Sequence, residues 1–381
     1  MTETMNYDLA VIGAGSAGFS AAITAAGEGA NVALIGYGLI GGTCVNVGCV
    51  PSKTMIRAAE ALHGARAADR FAGITGDARV TDWKKLVAAK DTLVETLRQK
   101  KYIDLLPEYN GVAYLEGAAQ IAAGGVIVNG TAIATDRVII ATGSAPALPD
   151  IPGIAETPYL TSTTALELTE LPRSLLVIVG GYIGCELAQM FARSGVAVTL
   201  ITRSRLLHEA EPEISDALTG YLEDEGITVL IGLSYRGISK TDNGVTLSID
   251  RNGSIEEIEA SQVLLTTGRT PNTAGLGLED AGISLTPNGG IDVDDRMRTS
   301  KSGVYAAGDV TGRDQFVYMA AYGAKLAALN AMNGDSMVYD NTAMPWVVFT
   351  DPQVAGVGLG EAAAIEAGFE TETSIVPLDQ V

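Results

Sequence analysis

The sequence predicts an α/β fold with two βαβ units on parallel sheets, followed by the start of an α+β segment. Three observations carry this. The run Gly13-Ala14-Gly15-Ser16-Ala17-Gly18 lies between a short apolar stretch and an alanine-rich one. A second strand–glycine–helix pattern begins near residue 175. The 381 residues include 45 glycines, which suits a chain with many tight βα turns. A length of 381 residues allows two or three domains, and 47% hydrophobic against 18% charged residues permits large cores and excludes global disorder.

The first unit opens with residues 7–12, an apolar run ended by glycine, as expected of a buried parallel strand. A helix is expected over 19–27, and a strand over 31–35 closes the βαβ unit. In this context Gly13, Gly15 and Gly18 permit a tight turn and let a pyrophosphate approach the helix N-terminus, where free N–H groups and the helix dipole receive it. The unit is therefore Rossmann-like and is expected to bind a dinucleotide. One feature departs from the pattern. Where the second strand ordinarily ends in an acid that holds the adenosine ribose, this chain has Gly36, then Tyr37 and Gly38. The expected loss is one charge-assisted hydrogen bond, about 1.5–3 kcal/mol.

Immediately afterwards comes Gly42-Thr43-Cys44-Val45-Asn46-Val47-Gly48-Cys49-Val50-Pro51-Ser52-Lys53. Two thiols at this spacing can close a small disulfide ring, and exposed rings of that kind are redox-active rather than structural. The pair takes two of the chain's three cysteines, so no disulfide framework is being built. The third, Cys185, reads as a small packing residue.

Residues 54–106 read as largely helical, with Leu86, Val87, Leu93, Val94 and Leu97 at apolar positions, and 111–135 reads as short strands. A strand over 137–143 ends in Thr142 and Gly143, small residues expected to border a cofactor. The proline-rich stretch 144–158 reads as a connection between domains. The second unit has a strand over 175–179, the turn Val179-Gly180-Gly181-Tyr182-Ile183-Gly184, a helix over 185–194 and a strand over 196–201. Gly181 and Gly184 keep the second and third glycine positions. Val179 stands at the first, and a β-branched residue there is expected to strain or displace the turn unless Gly180 takes over by a local shift.

Past that strand lie Thr202, Arg203, Ser204 and Arg205, with no carboxylate among them. Arginines suit the 2′-phosphate of NADP, so NADPH is the expected donor, although solvated surface arginines are the alternative. A further strand ends at Gly268, another leads to Gly308-Asp309, and a helix is expected over 315–332. The resulting division is 1–150 for the first nucleotide domain, 151–270 for the second, 271–338 for a return to the first, and 339–381 for a third domain expected to be incomplete.

A formal net charge of −20 disfavours nucleic acid and anionic membrane as partners. Residues 1–8 are polar and the following apolar run is broken by glycines, so neither a signal peptide nor a transmembrane span is expected. A reactive dithiol then fits a cytoplasmic location. Neither histidine, His63 nor His208, falls in a motif, and no CxxC or HExxH metal pattern occurs.

Two nucleotide units, one CxxxxC and a trailing Gly308-Asp309 together resemble the FAD-dependent pyridine nucleotide–disulfide oxidoreductases, and within them the mercuric reductase family. The likeness rests on Gly41 to Lys53, on Gln315-Phe316-Val317-Tyr318, on Ala343-Met344-Pro345 running into Val347 to Val354, and on Tyr102. It covers essentially the whole chain and implies the following. Cys49 would be the thiolate in charge-transfer contact with the flavin, and Cys44 the outer interchange thiol. Both would hold Hg(II) transiently. Lys53 would sit near flavin N5, paired with Glu186. Gly13, Gly15, Gly18, Gly38, Thr43, Ala119, Asp309 and Val317 would line FAD. Tyr182 would gate the nicotinamide pocket, and Tyr102 would lie near the bound metal. Hydride would pass from NADPH to FAD and electrons onward to the thiol pair and the metal. The substrate would be Hg(II) as thiol complexes, and the full-length family forms homodimers whose C-terminal cysteine pair works across the interface. The remaining alternatives are a disulfide reductase such as dihydrolipoamide dehydrogenase, or a flavin-binding fragment without turnover.

Overall fold

The computed structural model describes residues 5–377. Residues 1–4 and 378–381, the ends of the expected first and last domains, lie outside the described residues. Leu9–Ile12 is buried at every position, as a strand covered on both faces must be. It is the centre of a five-stranded sheet in the order Val304–Ala306, Val138–Ile140, Leu9–Ile12, Val32–Gly36, Val112–Glu116, with every pairing parallel. One edge strand thus comes from far along the chain. Helices Ser16–Gly27 and Val317–Asn333 pack side by side against this sheet. Alanines 21 and 25 of the first and 324, 327 and 328 of the second are fully buried, and such small side chains allow close approach. A small sheet of residues 5–6, 131–134, 125–128 and 119–122 joins the same core.

The second unit has a parallel sheet in the order Thr228–Leu230, Ala197–Ile201, Ser174–Ile178, Gln262–Leu265. One face packs on an antiparallel ribbon of Ser234–Thr241, Gly244–Arg251 and Ser254–Ala260. The other buries helix Tyr182–Arg193. The chain crosses between units twice, and the crossings pair with each other: Ser144–Pro146 runs antiparallel to Arg269–Pro271.

Residues 54–106 are largely helical, as expected, with one interruption. Helix Cys49–Arg66 and helix Trp83–Arg98 are separated by an irregular stretch over 71–82, where Gly73 at φ +86° and Gly76 interrupt the pattern. The two helices do not bury against the first sheet. Met55, Ile56, Trp83 and Val87 join the core of the second unit, with Trp83 tilted against Phe191 at 6.2 Å and its Nε1 donating to the Leu168 carbonyl at 2.7 Å. The segment carrying the thiols is therefore clamped between the two nucleotide units.

The last segment forms a hairpin of Pro345–Val348 and Val354–Val357. Val348 and Val354 are buried in the second unit's core. Gln189 exchanges two hydrogen bonds with the Asp351 backbone at 2.8 Å each. Arg193, 3% exposed, reaches Glu225 at 2.6 Å and Asp351 at 3.0 Å. Among the described residues no helix is long and apolar enough to cross a membrane.

Candidate active site

A single cavity of about 1620 Å³ joins the two glycine turns and the thiols. A site for one small molecule spans roughly 300–1,000 Å³, so this space has room for two cofactors. Its first end is lined by Gly13, Gly15, Thr43, Ala119, Thr142 and Gly143. Its middle holds Cys44, Cys49, Lys53, Asp309 and Val317, and its far end Gly181, Tyr182, Glu186 and Gly268. Gly18 and Gly184 do not line it. They act in packing: a Cβ on Gly18 would lie 1.7 Å from the Gly13 carbonyl oxygen, and one on Gly184 would lie 2.1 Å from that of Val179. Gly38 turns the chain at φ +79° between Tyr37 and Leu39, which do line the cavity.

The residues fit FAD. Gly13, at φ +117°, presses on the end of strand Val138–Ile140, since a Cβ there would meet the Ala141 carbonyl oxygen at 2.2 Å. A Cβ on Gly42 would lie 2.6 Å from Gly15 Cα, so the thiol segment touches the first glycine turn backbone to backbone. Bare backbone here is what a pyrophosphate needs for close approach. Asp309 accepts from Ser144 Oγ at 2.6 Å, and that hydroxyl in turn accepts from Arg269 Nε at 2.7 Å. Arg269 also donates to the Ser144 carbonyl at 2.7 Å and stands 3.7 Å from Asp309. Burial lowers its pKa, while Asp309 and Cys49 act against that. Arg269 follows the strand-ending Gly268 directly. A charge at that position was the available signal, but its partner is far away in sequence.

Cys44 and Cys49 are free thiols, the first in the middle of short helix Gly42–Asn46 and the second at the start of long helix Cys49–Arg66. The hydrogen bond from Cys44 is the largest influence on Cys49; burial opposes it, Lys53 assists, and the result is a thiol held down to about 7. Cys44 is pushed far up by donating that hydrogen bond and by burial. Of the two, Cys49 loses its proton first, beginning around neutral pH, while Cys44 keeps its own, so the nucleophile is Cys49. Cys185 is fully buried, and burial raises its pKa, which leaves it inert.

Lys53 Nζ bonds Glu186 Oε2 at 2.6 Å, and Glu186 is 5% exposed. The other carboxylate oxygen accepts from the Phe349 N–H at 3.0 Å. Lys53 also lies over the Phe349 ring, 4.9 Å from its centroid. The motif helix, the second unit and the final hairpin thus meet at one buried carboxylate. Phe349 lies in the block 347–354 that carried the resemblance, but its contact with Glu186 was not marked by the sequence.

At the far end Tyr182 stacks on Trp346 at 5.7 Å and tilts against Phe316 at 5.9 Å. Burial, with Glu209 adding, pushes its hydroxyl up to about 12. Val179 sits at φ +80°, so the expected strain is present and Gly180 has not relieved it. Arg205, expected to read a 2′-phosphate, is partly engaged within its own loop. Its Nη2 donates to the carbonyls of His208 and Ala210 at 2.9 and 3.0 Å, and neither Arg205 nor the exposed Arg203 lines the cavity. The loop turns back on itself and occupies Arg205 with its own carbonyls.

Tyr102 lies within the turn Gln99–Ile103, its ring edge-on to Phe19 at 4.7 Å and its hydroxyl 3.3 Å from Ser16 Oγ. Burial raises its pKa, with smaller effects from both thiols, but it does not line the cavity. His208, expected to be incidental, reaches the cavity rim, while His63 Nδ1 stands 3.7 Å from Glu225. Among the described residues no group of three or more metal-ligating side chains occurs.

The profile of the family described as pyridine nucleotide-disulphide oxidoreductase matches residues 7–328. A mercuric reductase of Staphylococcus aureus is 45% identical over 99% of this chain and 69% of its own length. One of Streptomyces lividans is 45% identical over 98% of this chain and 80% of its own. The structure of the HOCl-induced flavoprotein disulfide reductase RclA from Escherichia coli superposes with a TM-score of 0.82 at 31% identity, covering 96% of this chain and 80% of that one.

Two outcomes follow from the geometry. The pH midpoint for alkylation of Cys49 by iodoacetamide should lie near 7. It should rise in Lys53→Met and fall in Glu186→Gln, because the first removes a stabilising cation and the second an opposing anion; shifts of the same sign would refute the assignment. Val179→Gly should raise stability by about 1–2 kcal/mol in urea denaturation, since a β-branched residue at positive φ carries strain of that order. An unchanged midpoint would mean that the turn is unstrained.

Proposed function

The chain belongs to the pyridine nucleotide-disulphide oxidoreductase family, as an FAD-dependent oxidoreductase that uses NAD(P)H, and we propose that within it the protein reduces Hg(II) to Hg(0) with NADPH. The observation that carries this reading is the Cys44–Cys49 pair in the shared cavity, with one thiol held near pH 7 beside Lys53. Identity of 45% to mercuric reductases across nearly the whole chain supports it. Balanced, the reaction converts NADPH and Hg(II) to NADP⁺, a proton and Hg(0), with two electrons transferred.

FAD, when bound, supplies the two-electron link between nicotinamide and the thiol side. The chain's own residues do the rest. Cys49 enters as the thiolate and displaces one thiol from an incoming Hg(II) complex. Cys44 gives up its proton and displaces the second. Soft sulfur donors hold a soft metal far better than oxygen ligands do. Lys53 balances negative charge at Cys49, while Glu186 fixes the lysine. Tyr182, Phe316 and Trp346 form an aromatic wall that shields the nicotinamide end from water. Tyr102 contributes packing beneath the thiol segment, close enough to influence a metal held there. A working dithiol of this kind suits a reducing cytoplasm.

In this reading Arg203 alone recognises the 2′-phosphate, because Arg205 is occupied within its loop. Arg203→Ala should raise the KM for NADPH about tenfold and leave that for NADH unchanged, as expected for one charge-assisted hydrogen bond. Arg205→Ala should affect both donors alike. If Arg205 proves the selective residue, the assignment falls.

The decisive assay is anaerobic NADPH oxidation in excess thiol, with Hg(II) or with lipoamide as acceptor. Hg(II) should support the faster turnover, and Cys44→Ser and Cys49→Ser should each lower it by about a hundredfold or more. A preference for lipoamide would instead identify a reductase of organic disulfides.

A further inference from the structure

Strand Val32–Gly36 ends on a glycine where an acid ordinarily takes the ribose hydroxyls of a bound dinucleotide. Nothing in the backbone demands glycine here, since Gly36 is not among the positive-φ residues. The reason is space. A Cβ on Gly36 would lie 2.4 Å from the Tyr114 hydroxyl oxygen, 2.7 Å from the Tyr114 ring and 2.9 Å from Ala14 Cβ.

Tyr114 comes from the neighbouring strand Val112–Glu116, paired opposite Leu34, two residues before the strand end. Its side chain leans along the strand and covers Gly36. The two positions form a matched pair, because a side chain at 36 and a tyrosine at 114 exclude each other. Tyr114 lines the cavity together with Ile35, Tyr37 and Ala14, at the end away from the second nucleotide unit. Burial, with Glu116 adding, raises the phenol's pKa, so it is neutral at pH 7. Among the described residues no protein group pairs with its hydroxyl, which can both donate and accept.

We propose that the Tyr114 hydroxyl replaces the missing carboxylate and binds the adenosine ribose of FAD, so that the ribose contact has moved from the end of one strand to a side chain of the next. The exchange substitutes a neutral hydrogen bond for a charged one and keeps the adenosine end of the cavity polar. It concerns flavin affinity only and holds whichever acceptor the enzyme reduces.

The test is binding of FAD and of riboflavin 5′-phosphate to the flavin-free full-length chain, followed by flavin fluorescence. Riboflavin 5′-phosphate has no adenosine ribose. Tyr114→Phe preserves the ring packing and removes only the hydroxyl. It should weaken FAD about three- to tenfold, the worth of one neutral hydrogen bond, and leave riboflavin 5′-phosphate unchanged. The triple change Gly36→Glu, Tyr114→Val and Ala14→Gly restores an acid where the strand ends and removes all three close contacts. It should bind FAD more tightly than Tyr114→Val with Ala14→Gly and no acid at 36. Unaltered FAD affinity in Tyr114→Phe, equal weakening of both flavins, or no gain from the added glutamate would each overturn the proposal.

Discussion

The buried carboxylate of Glu186 is the point on which the arrangement of this protein depends. It accepts from Lys53 on the thiol helix and from the Phe349 backbone on the final hairpin, while its own helix carries the second glycine turn. A carboxylate withdrawn from water is tolerated only when both oxygens are satisfied. Three segments distant in sequence must therefore be in place together for any one of them to be stable. The same constraint fixes the chemistry. Lys53 cannot leave the thiols without abandoning Glu186, so the charge that helps to ionise Cys49 is held by the fold.

The nucleotide sites show two ways of departing from a common pattern. The first lacks its ribose acid and compensates through a neighbouring strand, with ordinary backbone geometry at Gly36. The second keeps its later glycines but carries positive φ at both Val179 and Leu207, which lie close together because the Leu207 N–H donates to the Gly180 carbonyl at 2.8 Å. Backbone strain is thus present at the second glycine turn and not at Gly36. A tightly held resident cofactor and a substrate cofactor that must leave each turn make different demands on their binding loops, and the two loops differ accordingly.

Features that depend on a few adjacent residues were legible in the sequence. Both glycine turns, the thiol pair and the strands around them follow from local chemistry, and the Lys53–Glu186 pair followed from family resemblance. What the sequence concealed depends on distant partners. Arg269 and Phe349 gain their roles from Ser144 and Glu186, each more than a hundred residues away. The break over 71–82, at Gly73 and Gly76, interrupts an otherwise helical stretch whose flanks keep the expected spacing. Gly36 looked like a simple loss because Tyr114, its counterpart, lies on another strand.

The edge strand Val304–Ala306 has a consequence for how the chain is made. It pairs with Val138–Ile140, but the ribosome delivers it more than 160 residues later. Throughout that interval one side of the first sheet has an open hydrogen-bonding edge, the kind of surface that invites pairing with other chains. The second unit's sheet is drawn entirely from residues 174–265 and lacks no strand from outside that range. The interior sheet can therefore close on the nascent chain before the sheet that starts earlier in the sequence, reversing the usual order of synthesis and closure, while its core is sealed only when Val348 and Val354 arrive.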